Sequence, residues 1–400
     1  MYQKLYESYY KGTFLNYLQQ HKQIPLSIVI FLLVITIFII LVFGLTPKNF
    51  SFTNDVSRIL GSPGIKFGNK GIAYTEPFFE ATKSTILANN GLSFEIALKP
   101  DSQKEGGFRF IIVFHDGKDT DQLLVGQWKT HIIVMNGDDY SNKRKMKRIS
   151  ANTAALSTED FYITVTSGKE GTKIYFNGEL IREKEDLTLK IPNKEMKARL
   201  IMGNSVYGNN SWEGTIYGLA FYQYELTSQK VYHHYDQWLK NKNFTFAIKE
   251  NPYLLYLFNE NNKLKSLDYS GHKNHIYMPE RMKKLERKFL SLPNSAELSE
   301  WLVQDILINF FGFVPFGFIL STVLMKLNNV SGKYYILITV LFGFLLSLII
   351  EYSQSWIPTR DSNLLDLTLN TLGALVGAAI YKPSLHFAKL RLGFLLPDSP

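Results

Sequence analysis

Ile28–Leu45 is an 18-residue stretch without a single charge. As a helix rising about 1.5 Å per residue it spans roughly 27 Å, close to the hydrocarbon thickness of a bilayer. Three more apolar runs lie near the other end, at Trp301–Met325, Tyr334–Ile350 and Leu364–Tyr381. Most of the charge lies between these apolar ends. Of the 44 Lys+Arg and 35 Asp+Glu residues, 35 and 29 fall within residues 46–302. The mean hydropathy of −0.07 is therefore an average over two solvents. The partition excludes a uniformly soluble enzyme and a compact all-helical transporter alike.

The first run follows Lys4, Lys11 and Lys22 and exits through Phe43-Gly44-Leu45-Thr46-Pro47. It is longer than the apolar core of a signal peptide and lacks a small-residue cleavage site, so it reads as an uncleaved anchor. Short segments at the N-tail, 326–333 and the C-tail hold eight Lys/Arg, against one, Arg360, in 352–363. The positive-inside rule then puts both termini in the cytoplasm and the polar block outside. The cluster Lys283, Lys284, Arg287 and Lys288 argues the other way, but long domains count weakly in this rule. The net charge of +9 is spread along the chain and does not suggest nucleic acid. There is no Cys, hence no disulfide framework and no thiolate site.

The polar block reads as β. Strand-like runs rich in β-branched and aromatic residues recur at Leu92–Leu98, Phe108–Phe114, His131–Met135, Phe161–Thr166, Lys173–Phe176, Ala198–Met202 and Thr215–Tyr222. Asp116-Gly117, Asn136-Gly137 and Asn177-Gly178 punctuate them as turn formers. Ser228–Lys240 reads as a helix and Tyr253–Phe258 as one more strand-like run. The expected fold is a multi-domain membrane protein, an all-β sandwich inserted between a first transmembrane helix and a three-helix bundle. The expected divisions are a cytoplasmic tail over 1–27, a span over 28–45 and a sandwich over 48–245. A linker with an extra strand-like segment covers 246–300. A membrane module covers 301–382, with helices near 303–325, 334–351 and 364–381, and a cytoplasmic tail covers 383–400.

This topology brings the polar residues of the apolar runs to one membrane level. Asp305 and Asn309 enter one helix from outside, Glu351 and Gln354 leave the next, Arg360 lies in the outer loop, and Asp366 and Asn370 enter the last. Each i, i+4 pair shares a helix face. Glu351 at a helix C-terminus meets the wrong end of the dipole, so it needs a cationic partner, for which Arg360 is the nearby candidate, or stays protonated. Ionisable groups inside a membrane mark functional sites by default. The bland alternative is dipole complementation by the aspartates and interhelical hydrogen bonding by the asparagines. Pro315, Gly317, Gly373 and Gly377 are expected at helix kinks and close helix packing.

These same residues carry a resemblance. Asp305-Ile-Leu-Ile-Asn309, then Pro315-Phe-Gly317, Glu351-Tyr-Ser-Gln354, Pro358-Thr-Arg360 and Asp366-Leu-Thr-Leu-Asn370-Thr-Leu-Gly373 through Gly377 resemble the VanZ-like membrane proteins. That resemblance implies a cell-envelope membrane protein. It also implies a link to resistance against the glycopeptide antibiotic teicoplanin, the role associated with the family's namesake. Residues 55–245 resemble a concanavalin A-like sandwich of the laminin-G (LamG) type, on Phe161-Tyr-Ile-Thr-Val, Lys173–Ile181 and Trp212–Tyr222. Leu257-Phe-Asn-Glu and Asp268-Tyr-Ser-Gly271 with Asn274 resemble a segment found at the start of such sandwiches, which implies an added strand or a truncated second copy. The resemblance implies carbohydrate binding. The spaced acids of glucanase relatives, E-x-D-x-E, are absent, so binding is favoured over hydrolysis.

Trp128 and Tyr207 are the candidate sugar-stacking residues, with core packing as their ordinary use. Asp116, Asp138, Asp139 and Asn204 offer the oxygen donors that Ca²⁺ takes, but such residues also form turns. No cofactor or metal is expected. The expected setting is the bacterial cytoplasmic (inner) membrane, multi-pass, with the sandwich facing the periplasm or cell exterior. The expected partners are the lipid bilayer and cell-wall polysaccharide or a lipid-linked precursor. Three functions remain open. The protein could be a glycan-binding envelope protein, a membrane enzyme or lipid-handling protein working at the Asp/Glu/Arg cluster, or a structural anchor for the sandwich.

Overall fold

The computed structural model describes residues 24–46, 53–77, 91–101, 107–140, 142–154, 159–192, 198–291, 300–327, 334–357 and 360–394. The chain divides into two compact units. Residues 49–286 form one; residues 1–48 together with 287–400 form the other.

The first unit is an all-β sandwich. In chain order its strands are β1 (Val56–Arg58), β2 (Ile65–Phe67), β3 (Ala73–Thr75), β4 (Leu92–Pro100), β5 (Arg109–His115), β6 (Leu123–Trp128), β7 (His131–Asn136) and β8 (Arg148–Asn152). There follow β9 (Phe161–Gly168), β10 (Gly171–Phe176), β11 (Glu179–Lys184), β12 (Arg199–Met202), β13 (Gly214–Tyr222), β14 (Leu254–Tyr256), β15 (Lys265–Ser266) and β16 (Ile276–Tyr277). One sheet runs β1-β2-β13-β4-β9-β10-β11, with β14 also on β13; the other runs β15-β16-β3-β12-β5-β6-β7-β8. The β10–β11 hairpin turns on Asn177 and Gly178, both at positive φ (49° and 79°), the conformation that an Asn-Gly pair tolerates.

The central strands are buried along most of their length, β9 at every position, while the edge strand β11 is exposed. Both faces are covered at the centre of each sheet, which produces apolar runs where a half-exposed strand would alternate. Between the sheets lie Phe94, Ile96, Ile163, Val165, Val134 and Leu200 among others, and the Phe114 and Phe221 rings meet at 5.2 Å. The helix α2 (Ser228–Asn241), capped by Thr227 and carrying Val231 and Trp238 inward, covers the outer face of the first sheet. Loops carrying Tyr140, Met146, Tyr207 and Leu285 cover the outer face of the second.

Residues 254–277, read from the sequence as part of a linker, complete the sandwich. Leu219 pairs with Tyr256 in one sheet, and Ile276 pairs with Thr75 in the other. Of the two expectations for this segment, the placement is that of an added strand and not of a second copy. Entry and exit of the unit are tied together. The Asn54 side chain exchanges hydrogen bonds with Ile72 and donates to the Pro279 carbonyl at 2.8 Å, and Thr53 bridges Arg281.

The second unit holds α1 (Leu26–Leu45), α3 (Glu300–Lys326), α4 (Tyr335–Gln354) and α5 (Leu364–Phe394). Each contains a stretch long and apolar enough to cross a membrane. The last helix continues beyond the expected end at 381. The N-tail to residue 23, and residues 395–400, lie outside the described residues.

Candidate functional site at one end of the helix bundle

The glycines of α3 and α5 bring these two helices into backbone contact. A Cβ on Gly317 would run into the Ala374 carbonyl oxygen, one on Gly373 into that of Phe310, and one on Gly377 into that of Val314. Only small residues allow such an approach. Pro315 lies inside the continuous helix α3, on its exposed face. The contact aligns α3 and α5 and sets their polar residues beside one another at one end.

Glu351 is 1% exposed. Its Oε2 accepts the Asn363 backbone N–H at 2.8 Å, and the Ser362 hydroxyl bonds the same carboxylate. Ser362 Oγ in turn accepts the Leu290 N–H at 3.0 Å. Asn363 caps α5 by accepting the Leu365 N–H at 2.9 Å. Glu351 thus faces the start of α5, where unpaired N–H groups and the positive dipole end favour an anion.

Arg360 does not neutralise Glu351 by contact, as the sequence suggested. Its Nη2 donates to the Phe43 and Thr46 carbonyls, both at 2.9 Å. Gln354 Nε2 donates to the Gly44 carbonyl at 2.8 Å. Both side chains cap the C-terminal end of α1, where carbonyls lack intrahelical partners and a cation is favoured.

Asp366 sits in the first turn of α5, half-buried, and hydrogen-bonds Asn309. Asp305, one turn earlier on α3, is exposed. Its charge acts on both Glu351 and Asp366, and the Arg360 charge acts on Asp366. Asn370, one turn along from Asp366, is buried and donates to Ser347 Oγ at 2.9 Å. The result is a hydrogen-bonding rim that carries three carboxyl groups, with the Arg360 charge close by. Such a rim can hold an ammonium or hydroxyl-bearing group.

A polar seam running along α4 was not anticipated. Tyr335, Thr339, Gly343, Ser347 and Glu351 are all buried and recur every fourth residue. Thr339 Oγ1 lies 3.1 Å from Ser321 Oγ on α3, and the Tyr335 hydroxyl reaches the Ala378 carbonyl at 3.5 Å on α5. The spacing is plain in the sequence, but of these residues only Glu351 carries a charge that stands out in an apolar run.

The loop residues considered for Ca²⁺ serve their own turns. Asp116 accepts the Lys118 N–H, Asp138 pairs with Arg144, and Asn204 holds Gly71, Ser205, Asn210 and Ser211. Asp139 is buried; burial raises its pKa, yet the Met146 and Arg144 amide N–H groups outweigh this and hold it below the usual carboxylate range. Among the described residues no three His, Asp or Glu side chains gather to hold a metal. Tyr207 donates to both oxygens of Asp119, at 3.0 and 3.1 Å. Trp128 is exposed at the end of β6, with Lys129 Nζ 5.2 Å from its ring centroid.

A second polar cluster is buried between the outer face of the first sheet and α2. Glu95 accepts the Tyr222 hydroxyl at 2.9 Å, and its Oε2 lies 3.0 Å from His234 Nδ1.

Residues 220–391 match the family model described as VanZ/LLP1. Residues 77–232 match that of the concanavalin A-like lectin/glucanases superfamily. The chain therefore combines a VanZ-like part with a concanavalin A-like domain, and the VanZ/LLP1 match begins within β13 of the sandwich. No curated protein matches the chain. Among solved structures it is similar to the botulinum neurotoxin serotype D binding domain, with 18% identity, 53% of this chain and 49% of that chain covered, and a TM-score of 0.36. It is also similar to the binding domain of botulinum neurotoxin DC in complex with rat synaptotagmin II, with 13% identity, coverage of 46% and 45%, and a TM-score of 0.35. A putative carbohydrate binding protein from Bacteroides ovatus gives 14% identity, coverage of 58% and 62%, and a TM-score of 0.38. The chain spans about half the length of the neurotoxin domains it matches.

Proposed function

We propose that this is a multi-pass protein of the bacterial cytoplasmic (inner) membrane. Its sandwich faces the periplasm or cell exterior and binds envelope glycan. Its helix bundle holds a polar site at the outer leaflet that recognises an envelope component. The membrane assignment is supported by four helices able to span a bilayer and by the VanZ/LLP1 match. Glycan binding is supported by the superfamily of the sandwich and by the exposed Trp128.

The observation that carries the membrane site is the buried Glu351, set among Asp305, Asn309 and Asp366 where lipid would otherwise exclude charge. Tolerance of glycopeptide antibiotics is the physiological role that goes with it. Glu351→Gln and Arg360→Lys, at unchanged protein level, are expected to abolish that tolerance. Full retention in both would remove the site from the function. Reporters fused at 352–363 and at the C-terminus test sidedness; a cytoplasmic signal from the loop would overturn the outer-leaflet placement. The full chain in lipid discs, presented to peptidoglycan and polysaccharide fragments, tests the sandwich, and absence of binding at millimolar concentration would end its glycan role.

A lipid-linked precursor is the second reading. It is favoured by the carboxylate rim sitting at the end of the spans, where headgroups lie.

A further inference from the structure

The helix unit carries a cation over an aromatic ring at each end of α4. At one end the Arg287 guanidinium carbon lies 3.0 Å over the Trp356 ring centroid. At the other, Lys382 Nζ lies 5.3 Å from that of Tyr335. Tyr335 and Gln354, the two ends of α4, are separated by roughly 29 Å at the helical rise, about the thickness of a bilayer's hydrocarbon, and Trp356 follows two residues beyond. Amphipathic rings and long basic side chains belong at the two boundaries of that layer.

The two ends differ. Tyr335 is buried, whereas Trp356 is half exposed. An exposed stripe of Leu337, Leu341, Leu345 and Ile349 climbs α4 and ends on Tyr352 and Trp356. Phe289 meets Tyr352 edge-on at 6.2 Å, and Tyr352 meets Trp356 at 6.2 Å. Three exposed rings in contact make a platform, with the exposed Arg287 on it and the exposed Lys288 next in the chain. Stacking on a ring face does not consume the N–H donors of a guanidinium, which lie in its own plane. Those donors match the oxygens of a phosphodiester. The buried seam of Thr339, Gly343, Ser347 and Glu351 occupies the other side of α4 and turns its carboxylate into the bundle.

We propose that the Arg287–Trp356–Tyr352–Phe289 platform binds the phosphodiester headgroup of an anionic phospholipid, with an acyl chain along the Leu337–Ile349 stripe. The inference rests on α4 spanning the bilayer. The full chain is reconstituted into discs of phosphatidylcholine with a minority of phosphatidylglycerol, and the lipids it retains on release are weighed by native mass spectrometry. Phosphatidylglycerol should be enriched over its share of the disc. Arg287→Ala should lower that enrichment roughly fivefold, the effect of one basic residue near an anionic surface. Trp356→Ala should lower it too, and Lys326→Ala, at the far end of α3, should not. Equal enrichment in the wild type and in Arg287→Ala, with unchanged thermal unfolding, overturns the site. So does release of the lipid by inorganic phosphate alone, which would assign the site to the free ion. A chain that enters no disc overturns the membrane reading itself.

Discussion

The Asn363 backbone N–H donates to Glu351 Oε2 at 2.8 Å, so the carboxylate near the end of one span is met by the first free amide of the next. Glu351→Ala leaves that amide and the Ser362 hydroxyl without their acceptor. A loss of about 1–3 kcal/mol is expected, and Glu351→Gln, which keeps an acceptor oxygen, should lose less. Thermal unfolding of the full chain in detergent measures both. Equal losses would show that the acceptor is not what stabilises this corner.

Glycine substitutions should separate contact from propensity. Gly377→Ala and Gly373→Ala force α3 and α5 apart against the Val314 and Phe310 carbonyls. Each is expected to destabilise by about 1–3 kcal/mol, the cost of overpacking. Gly312 has nothing within 4 Å of an added Cβ, so Gly312→Ala should stay within about 1 kcal/mol of wild type.

At the outer face of the first sheet, His234→Ala strands Glu95 beneath α2 with one partner fewer. Both side chains are buried, and removing one partner of a buried hydrogen bond costs about 1–3 kcal/mol. Tryptophan fluorescence during urea unfolding should report the change, since Trp238 lies on the same helix.

Asp139 gives the sandwich a pH dependence of known sign. Its folded pKa lies below the usual value despite burial, because the Met146 and Arg144 amides favour the ionised form. The group therefore contributes stability that is fully present above the unfolded value of about 3.9 and is lost as pH falls through the folded one. Asp139→Asn should cost about 1–3 kcal/mol at neutral pH and flatten the acid limb of stability against pH. An unchanged acid limb in the variant would assign that limb to other carboxylates.

Long strands were legible because they collect β-branched and aromatic residues over six or more positions, as in Leu92–Pro100 and Phe161–Gly168. The strands β1, β2 and β3 are three residues each and show no period to read. Nothing local announces that Tyr256 and Ile276 join different sheets of a sandwich begun two hundred residues earlier. The spans were legible from apolar length. The partner of Arg360 was not, because the α1 carbonyls it caps are backbone groups, invisible to residue type.

Gln354 and the Gly44 carbonyl meet across 310 residues of chain. At roughly 5–20 residues per second, synthesis separates their appearance by some 15–60 s. Throughout that interval the first helix must stand in the bilayer alone, its last carbonyls satisfied by water or headgroups, while the whole sandwich is made and folds. Capping by Gln354 and Arg360 is therefore a late event of biogenesis. A chain truncated before its last spans would leave an inserted anchor and a finished sandwich, but an anchor whose end has never been closed.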